Sequence, residues 1–223
     1  VTEQDWLSCA YPEAMLRSLQ GRVSDRKLRL FGCACCRRIW AQLPRDANRA
    51  LVAAVEDWPD GTFDDPPLHA AIVASSRDEH ACAHDPGYWA VKYLGRSFYK
   101  APPSAAVPVV LWRVRQQVGP EHNPVAALRG AGGAEARAQC ALLHDILGPL
   151  PFRPVALDPA WWTPAVAALA AAGYADRRFD GLPVLADALE EAGCADAAIL
   201  GHLRGPGPHV RGCWVLDLVL GKE

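Results

Sequence analysis

Residues 24–43, SDRKLRLFGCACCRRIWAQL, constrain the fold more than any other stretch, because their apolar side chains recur on one helical face. Leu28, Phe31, Cys35, Ile39 and Leu43 are spaced 3, 4, 4 and 4, which predicts a long helix with one side turned inward. Ser24 suits the N-cap, Asp25 lies where the helix dipole favours an anion, and Pro44 stops the run. Arg26, Lys27, Arg37 and Arg38 fall mainly on the opposite side and read as a solvated basic stripe. Cys35 belongs to the inward face, while Cys33 and Cys36 share its flank on the side of Trp40. Two readings follow. The three thiols are small buried hydrophobes, or Cys33 and Cys36 are half of a metal site.

The rest of the composition narrows the class. With 223 residues, 51% of them hydrophobic, and a net charge of −2, the chain can bury a sizeable core and is not disordered over most of its length. A near-neutral balance argues against nucleic-acid binding, which needs a basic face. No run reaches the roughly 18–20 apolar residues of a membrane helix. The first residues show no basic segment followed by an apolar one. Eight cysteines without an export signal point to a cytoplasmic protein with free thiols or metal rather than disulfides.

Along the chain, further helices are expected at 2–7, 12–21, 47–58, from 65 towards 80, and at 88–94. Residues 95–108 read as loop, and 109–118 as helix or strand, with its glutamines and arginines favouring helix. GPEHNPVAALRGAGG, 119–133, is the natural connection, with little to bury. Helices at 134–147, 165–174, 182–193, 196–204 and 210–220 complete the chain, with Pro183 in a first turn and GPGP at 205–208 as a tight connection. No run alternates with period two between hairpin turns. The expectation is an all-α, irregular multi-helix bundle. It forms a single helical domain over 1–223, with a possible division into 1–118, a connection at 119–133, and 134–223.

Two constellations have the composition of a zinc site, for which four nitrogen or sulfur donors are the rule. In the first, Cys33 and Cys36 supply one pair and His80 and His84 the other, with Cys82 and Cys9 as substitutes. In the second, Cys194, His202, His209 and Cys213 cluster near the C-terminal end of the sequence. There His209 and Cys213 lie four apart on an expected helix. The competing reading has His209 bonding the backbone around GPGP and Cys213 facing the core beside Trp214. Zinc is the one cofactor these patterns suggest.

Catalytic signatures are missing from the sequence: there is no G-x-S-x-G elbow, no phosphate loop and no dinucleotide fingerprint. Trp161 and Trp162 are either core anchors or an aromatic surface for a partner. Asp217, set among apolar neighbours in CWVLDLVL, calls for a partner from another element if it is buried.

The segments SDRKLRLFGCACCRRIW, PFRPVALDPAWW, FDGLPVLADALEEAGC and HLRGPGPHVRGCWVLDLVLGKE resemble a family of uncharacterised bacterial proteins that is heavily duplicated within some large genomes. LADALEEAG is also similar, more weakly, to the core of a repeat-companion helical module. The resemblance covers the two ends of the sequence and leaves its middle uncovered. It brings no catalytic residue, and by analogy it implies binding or regulation. The leading expectation is therefore a non-enzymatic interaction or regulatory domain with a protein partner and no membrane or nucleic-acid partner. The alternatives are a zinc-stabilised or thiol redox-sensing helical domain, and an enzyme whose site is assembled from distant residues around His80, His84 or His209.

Overall fold

The 24–43 stretch folds as two helical pieces rather than one. We describe it from a computed structural model that covers residues 2–43, 45–58, 66–76, 86–96, 110, 133–149 and 152–222. After the short helices α1 (Glu3–Ser8) and α2 (Pro12–Ser18), α3 runs over Asp25–Arg38 and is followed by a 3₁₀ turn at Trp40–Gln42. Ser24 caps it as expected, its hydroxyl accepting the Lys27 N–H at 3.3 Å. The α-helical ladder ends five residues before Leu43. The residue preceding a proline is pushed to extended backbone, and Leu43 has ψ 122°. The chain tightens ahead of it, with the Ile39 N–H bonding Cys36 O at 3.2 Å. Carbonyls released there are taken up by Arg49, whose guanidinium donates to Trp40 O at 3.1 Å and Leu43 O at 2.9 Å.

α3 is also not amphipathic in the expected sense. Arg26, Lys27 and Arg29 are buried together with Leu30, Phe31, Cys33, Ala34, Cys35 and Cys36, so the helix is enclosed on nearly every side. The basic stripe is paired at Arg37 and Arg38, of which Arg38 stays exposed, while Arg26 and Lys27 are buried. Arg37 makes a two-pronged ion pair with the buried Glu56, at 2.8 Å and 2.6 Å. Arg38 does the same with Glu135, at 2.9 Å and 2.8 Å. Arg29 stacks 4.8 Å over Trp58 and donates to that residue's carbonyl. Planar guanidinium forks suit these bidentate and stacked arrangements.

Helices α4 (Asp46–Asp57), α5 (Pro66–Ser76) and α6 (Pro86–Arg96) follow, and then α7 (Ala134–Leu147). α4 packs on α3, α5 and α6. The described residues contain helices and no strand, so the chain is all-α. They divide into two compact units, 3–140 and 141–223, with the boundary inside α7. The connection expected at 119–133 lies, apart from Gly133, outside the described residues, as does the helix expected at 109–118 apart from Val110.

The second unit is built from the end of α7, α8 (Pro164–Asp176), α9 (Leu182–Glu191), α10 (Ala197–Arg204) and α11 (Trp214–Leu220). Each start has a local reason. Thr163 accepts the Val166 N–H at 3.2 Å, Pro183 sits in the first turn of α9, and Asp196 accepts from the Ala198 and Ile199 N–H groups. α8 packs on α9 and α11, and α9 on α10. The core between them holds Val166, Leu185, Leu189, Ile199, Leu203 and Trp214, each contributing roughly 1.5–3 kcal/mol of apolar burial. The closing helix expected from 210 starts only at Trp214. Gly212 has φ 94°, a left-handed conformation outside any α-helix, and it closes a turn in which the Cys213 N–H bonds Val210 O at 3.0 Å.

Candidate metal centre

Asp145, His202, His209 and Cys213 bring one donor atom each into a space where all four lie within 4.8 Å of one another. Four separate pieces of local structure deliver them. Asp145 comes from the last turn of α7, His202 from the last turn of α10, His209 from just beyond the 205–208 connection, and Cys213 from the residue preceding α11. Gly148 holds the first and last of these together. It follows α7 with φ 52°, and a Cβ added there would lie 2.6 Å from the Trp214 ring. Only a glycine allows both that backbone conformation and that closeness to the residue after Cys213.

The geometry is tight and polar. Asp145 Oδ1 lies 2.9 Å from His209 Nδ1 and 3.1 Å from His202 Nε2. His202 Nε2 is in turn 3.2 Å from Cys213 Sγ. The second carboxylate oxygen, Oδ2, accepts the Val210 N–H at 2.9 Å. The other nitrogen of His209, Nε2, is 3.3 Å from Gly205 O. The two imidazoles meet edge to face, with centroids 5.0 Å apart. Asp145 and Cys213 are buried, and His202 keeps one partly exposed edge.

Hydrogen accounting favours a positive charge in this cluster when His209 makes both of its contacts. A carbonyl oxygen only accepts, so the bond to Gly205 puts a hydrogen on His209 Nε2. A neutral ring would then turn the Nδ1 lone pair towards a carboxylate oxygen that also only accepts. Either a second proton or a metal cation has to occupy that gap. In the metal-free protein the raised His209 favours the proton. Burial pushes the Asp145 carboxyl up, but hydrogen bonds from His202 and His209 outweigh it and hold the group below its ordinary range. Burial likewise pushes His209 down, while the Asp145 hydrogen bond and charge, with the Gly205 carbonyl, raise it overall.

The same contacts fit a metal. Bonds of about 2.0–2.3 Å would hold tetrahedral donors about 3.3–3.8 Å apart, so the observed 2.9–3.2 Å contacts would expand slightly and the wider donor pairs, up to 4.8 Å, would close in. One carboxylate, two imidazoles and one thiolate form a donor set suited to zinc. The arrangement is a poor nucleophile relay. A Cys–His–Asp relay needs the thiol and the acid on opposite ring nitrogens, whereas here both converge on His202 Nε2.

The residues singled out in the sequence are distributed unevenly. His202, His209 and Cys213 come together, but through the Gly212 turn rather than along one helix face. Cys194 lies apart from them, buried in the apolar core of the second unit. Asp145 takes its place. Its sequence signal is a carboxylate in the last turn of a helix, where the dipole disfavours an anion.

Cys33 and Cys36 are fully buried, and with the described residues they join no group of three or more ligand-type side chains. Burial raises both thiols, and the nearby charge of Glu56 raises them further. His80, Cys82 and His84 lie outside the described residues. Cys9 is half-buried, its Sγ 3.5 Å from Tyr11 O. Trp161 packs partly into the core of the second unit, while Trp162 is 55% exposed. The Trp162 indole N–H bonds Val219 O at 3.0 Å beside a shallow cleft of about 500 Å³ lined by Leu157, Pro159 and residues 218–221. Among the described residues no helix is long and apolar enough to cross a membrane. Compared with known proteins, the chain matches no family model, no curated protein and no solved structure.

Proposed function

We propose that residues 141–223 form a zinc-stapled helical module, and that the protein is a non-enzymatic interaction or regulatory domain working in the cytoplasm. The observation that carries this reading is the convergence of Asp145, His202, His209 and Cys213 on one point. Four protein donors complete a tetrahedral shell, which is the pattern of structural zinc, whereas catalytic zinc keeps a position for water or substrate. A bound ion would tie the end of α7 to α10 and to the segment leading into α11, linking donors up to 68 residues apart in sequence. The exposed Trp162 favours a protein as the partner of such a module.

Elemental mass spectrometry on tag-free protein, purified without chelator, tests the reading. The expected result is about one zinc per chain, the occupancy of a single structural site. Stoichiometric zinc that survives His202→Ala and Cys213→Ser together, or the absence of any transition metal, would overturn it.

A further inference from the structure

We infer that two backbone groups, the Val210 N–H and the Gly205 C=O, fix the coordination of this centre at four and so select a tetrahedral ion over larger, oxygen-seeking ones. The inference rests on the metal reading above and adds its selectivity. The Val210 N–H, donating to Asp145 Oδ2 at 2.9 Å, occupies the oxygen that a bidentate carboxylate would turn to the metal. With that bond aimed at Oδ2, Oδ1 is the better-placed donor, the atom that already faces both imidazoles. Gly205 O, 3.3 Å from His209 Nε2, holds that ring in the form whose Nδ1 is available to the ion. Outer-shell bonds of this kind set ligand orientation and basicity, and their loss typically costs 10–100-fold in metal affinity.

The consequence for ion choice is geometric. Calcium takes six to eight oxygens and commonly draws on bidentate carboxylates, and magnesium requires an octahedron with several waters. Neither finds those donors around a buried thiol and a monodentate aspartate. Zinc accepts four mixed nitrogen, sulfur and oxygen ligands without a preference imposed by d-electrons. Its tetrahedral neighbour cobalt(II) can report the geometry. Affinity order alone would favour nickel and copper over cobalt, so a fixed coordination number adds discrimination that donor type does not supply.

Chelator-stripped full-length protein titrated with cobalt(II) chloride tests this directly. The expected spectrum has the intense visible bands of four-coordinate cobalt and a thiolate charge-transfer band. One equivalent of zinc should abolish both, whereas excess manganese(II) or calcium should leave them. Asp145→Glu keeps the charge but moves the carboxylate away from the Val210 N–H. It should still bind cobalt, with at least a tenfold loss in the preference for zinc over manganese. Weak six-coordinate bands in the wild-type protein, or displacement of cobalt by stoichiometric manganese, would overturn the selectivity while leaving a metal site in place. Failure of both cobalt and zinc to bind would overturn the site and the inference together.

Discussion

The cysteines of α3 and the cysteine that precedes α11 are equally buried, yet only the latter has metal-ligand chemistry around it among the described residues. Cys33, Cys35 and Cys36 sit in the middle of an enclosed helix. The charged groups beside that helix are already matched, with Glu56 gripped by Arg37. Cys33 approaches a carbonyl, Val52 O at 4.0 Å, and its thiol is pushed up by burial and by Glu56. Cys213 instead faces an imidazole nitrogen at 3.2 Å, with a carboxylate immediately behind it. A thiol becomes a ligand when neighbours stabilise its thiolate, and the density of cysteines in the sequence says nothing about that. The thiols of α3 fill volume, whereas Cys213, also part of the second unit's core, has an imidazole and a carboxylate close to its sulfur.

The largest effect that would break this contrast is metal removal. If the second unit holds zinc at a thousandfold above its dissociation constant, stripping it with a chelator should cost about 4 kcal/mol of stability, read as a fall in the urea midpoint. The double variant Cys33→Ser, Cys36→Ser should keep full zinc content, although its folding suffers. Unchanged unfolding after verified zinc loss would remove the distinction between the two regions.

Next in size is Gly148→Ala. The new methyl would collide with the Trp214 ring, and the left-handed backbone would be strained. Overpacking and a positive φ together should cost about 2–4 kcal/mol. Because Trp214 adjoins Cys213, the same change should weaken zinc binding at least tenfold, measured by competition with a colorimetric chelator. A glycine outside this contact makes the control. Gly201, with no atom within 4 Å of an added Cβ, should tolerate alanine with no loss of zinc.

Smaller again is the cost of polarity within α3. Cys36→Ser replaces a fully buried thiol with a hydroxyl that needs a partner, and should destabilise the protein by about 1–3 kcal/mol. Cys36→Ala leaves only a small void and should cost about 1 kcal/mol. Serine proving the milder of the two in thermal unfolding would mean that α3 offers its thiols a polar environment after all.

How much of this the sequence reveals depends on the range of the interactions. The cap of α3 is written in Ser24, because a cap is satisfied within three residues. Three of the four donors are legible for a similar reason, since His202, His209 and Cys213 occupy one short stretch. Asp145 is not, because it lies 64 residues before His209 and is brought in by packing at Gly148. Cys194 is close to them in sequence, yet it lies in the core, set beyond the end of α9 by Gly193, with φ 96°. The ion pairs of the basic stripe escape the sequence for the same reason. Its partners Glu56 and Glu135 are 19 and 97 residues away, beyond any local pattern.

The finest distinction between the two regions is their response to pH, and it is the smallest effect expected. In chelator-treated protein, His209 is raised and Asp145 lowered by their mutual contact. The raised histidine contributes stability that is complete below the ordinary histidine value, about 6.5, and is lost as pH rises through its folded value. The lowered aspartate contributes stability that is present above the ordinary carboxylate value, about 3.9, and is lost as pH falls through its folded value. The metal-free pair is therefore strongest between about pH 4 and 6.5. Zinc reverses the alkaline side, because it needs the histidines unprotonated and binds more tightly as pH rises. Urea midpoints at about pH 5.5 and 8, with and without zinc, should move in opposite directions. His209→Phe should flatten the metal-free slope, and Cys36→Ala should leave it intact, because the raised thiols of α3 stay protonated across that range. A slope that survives in the His209 variant would place the titrating group elsewhere and separate the Asp145–His209 contact from the stability of the second unit.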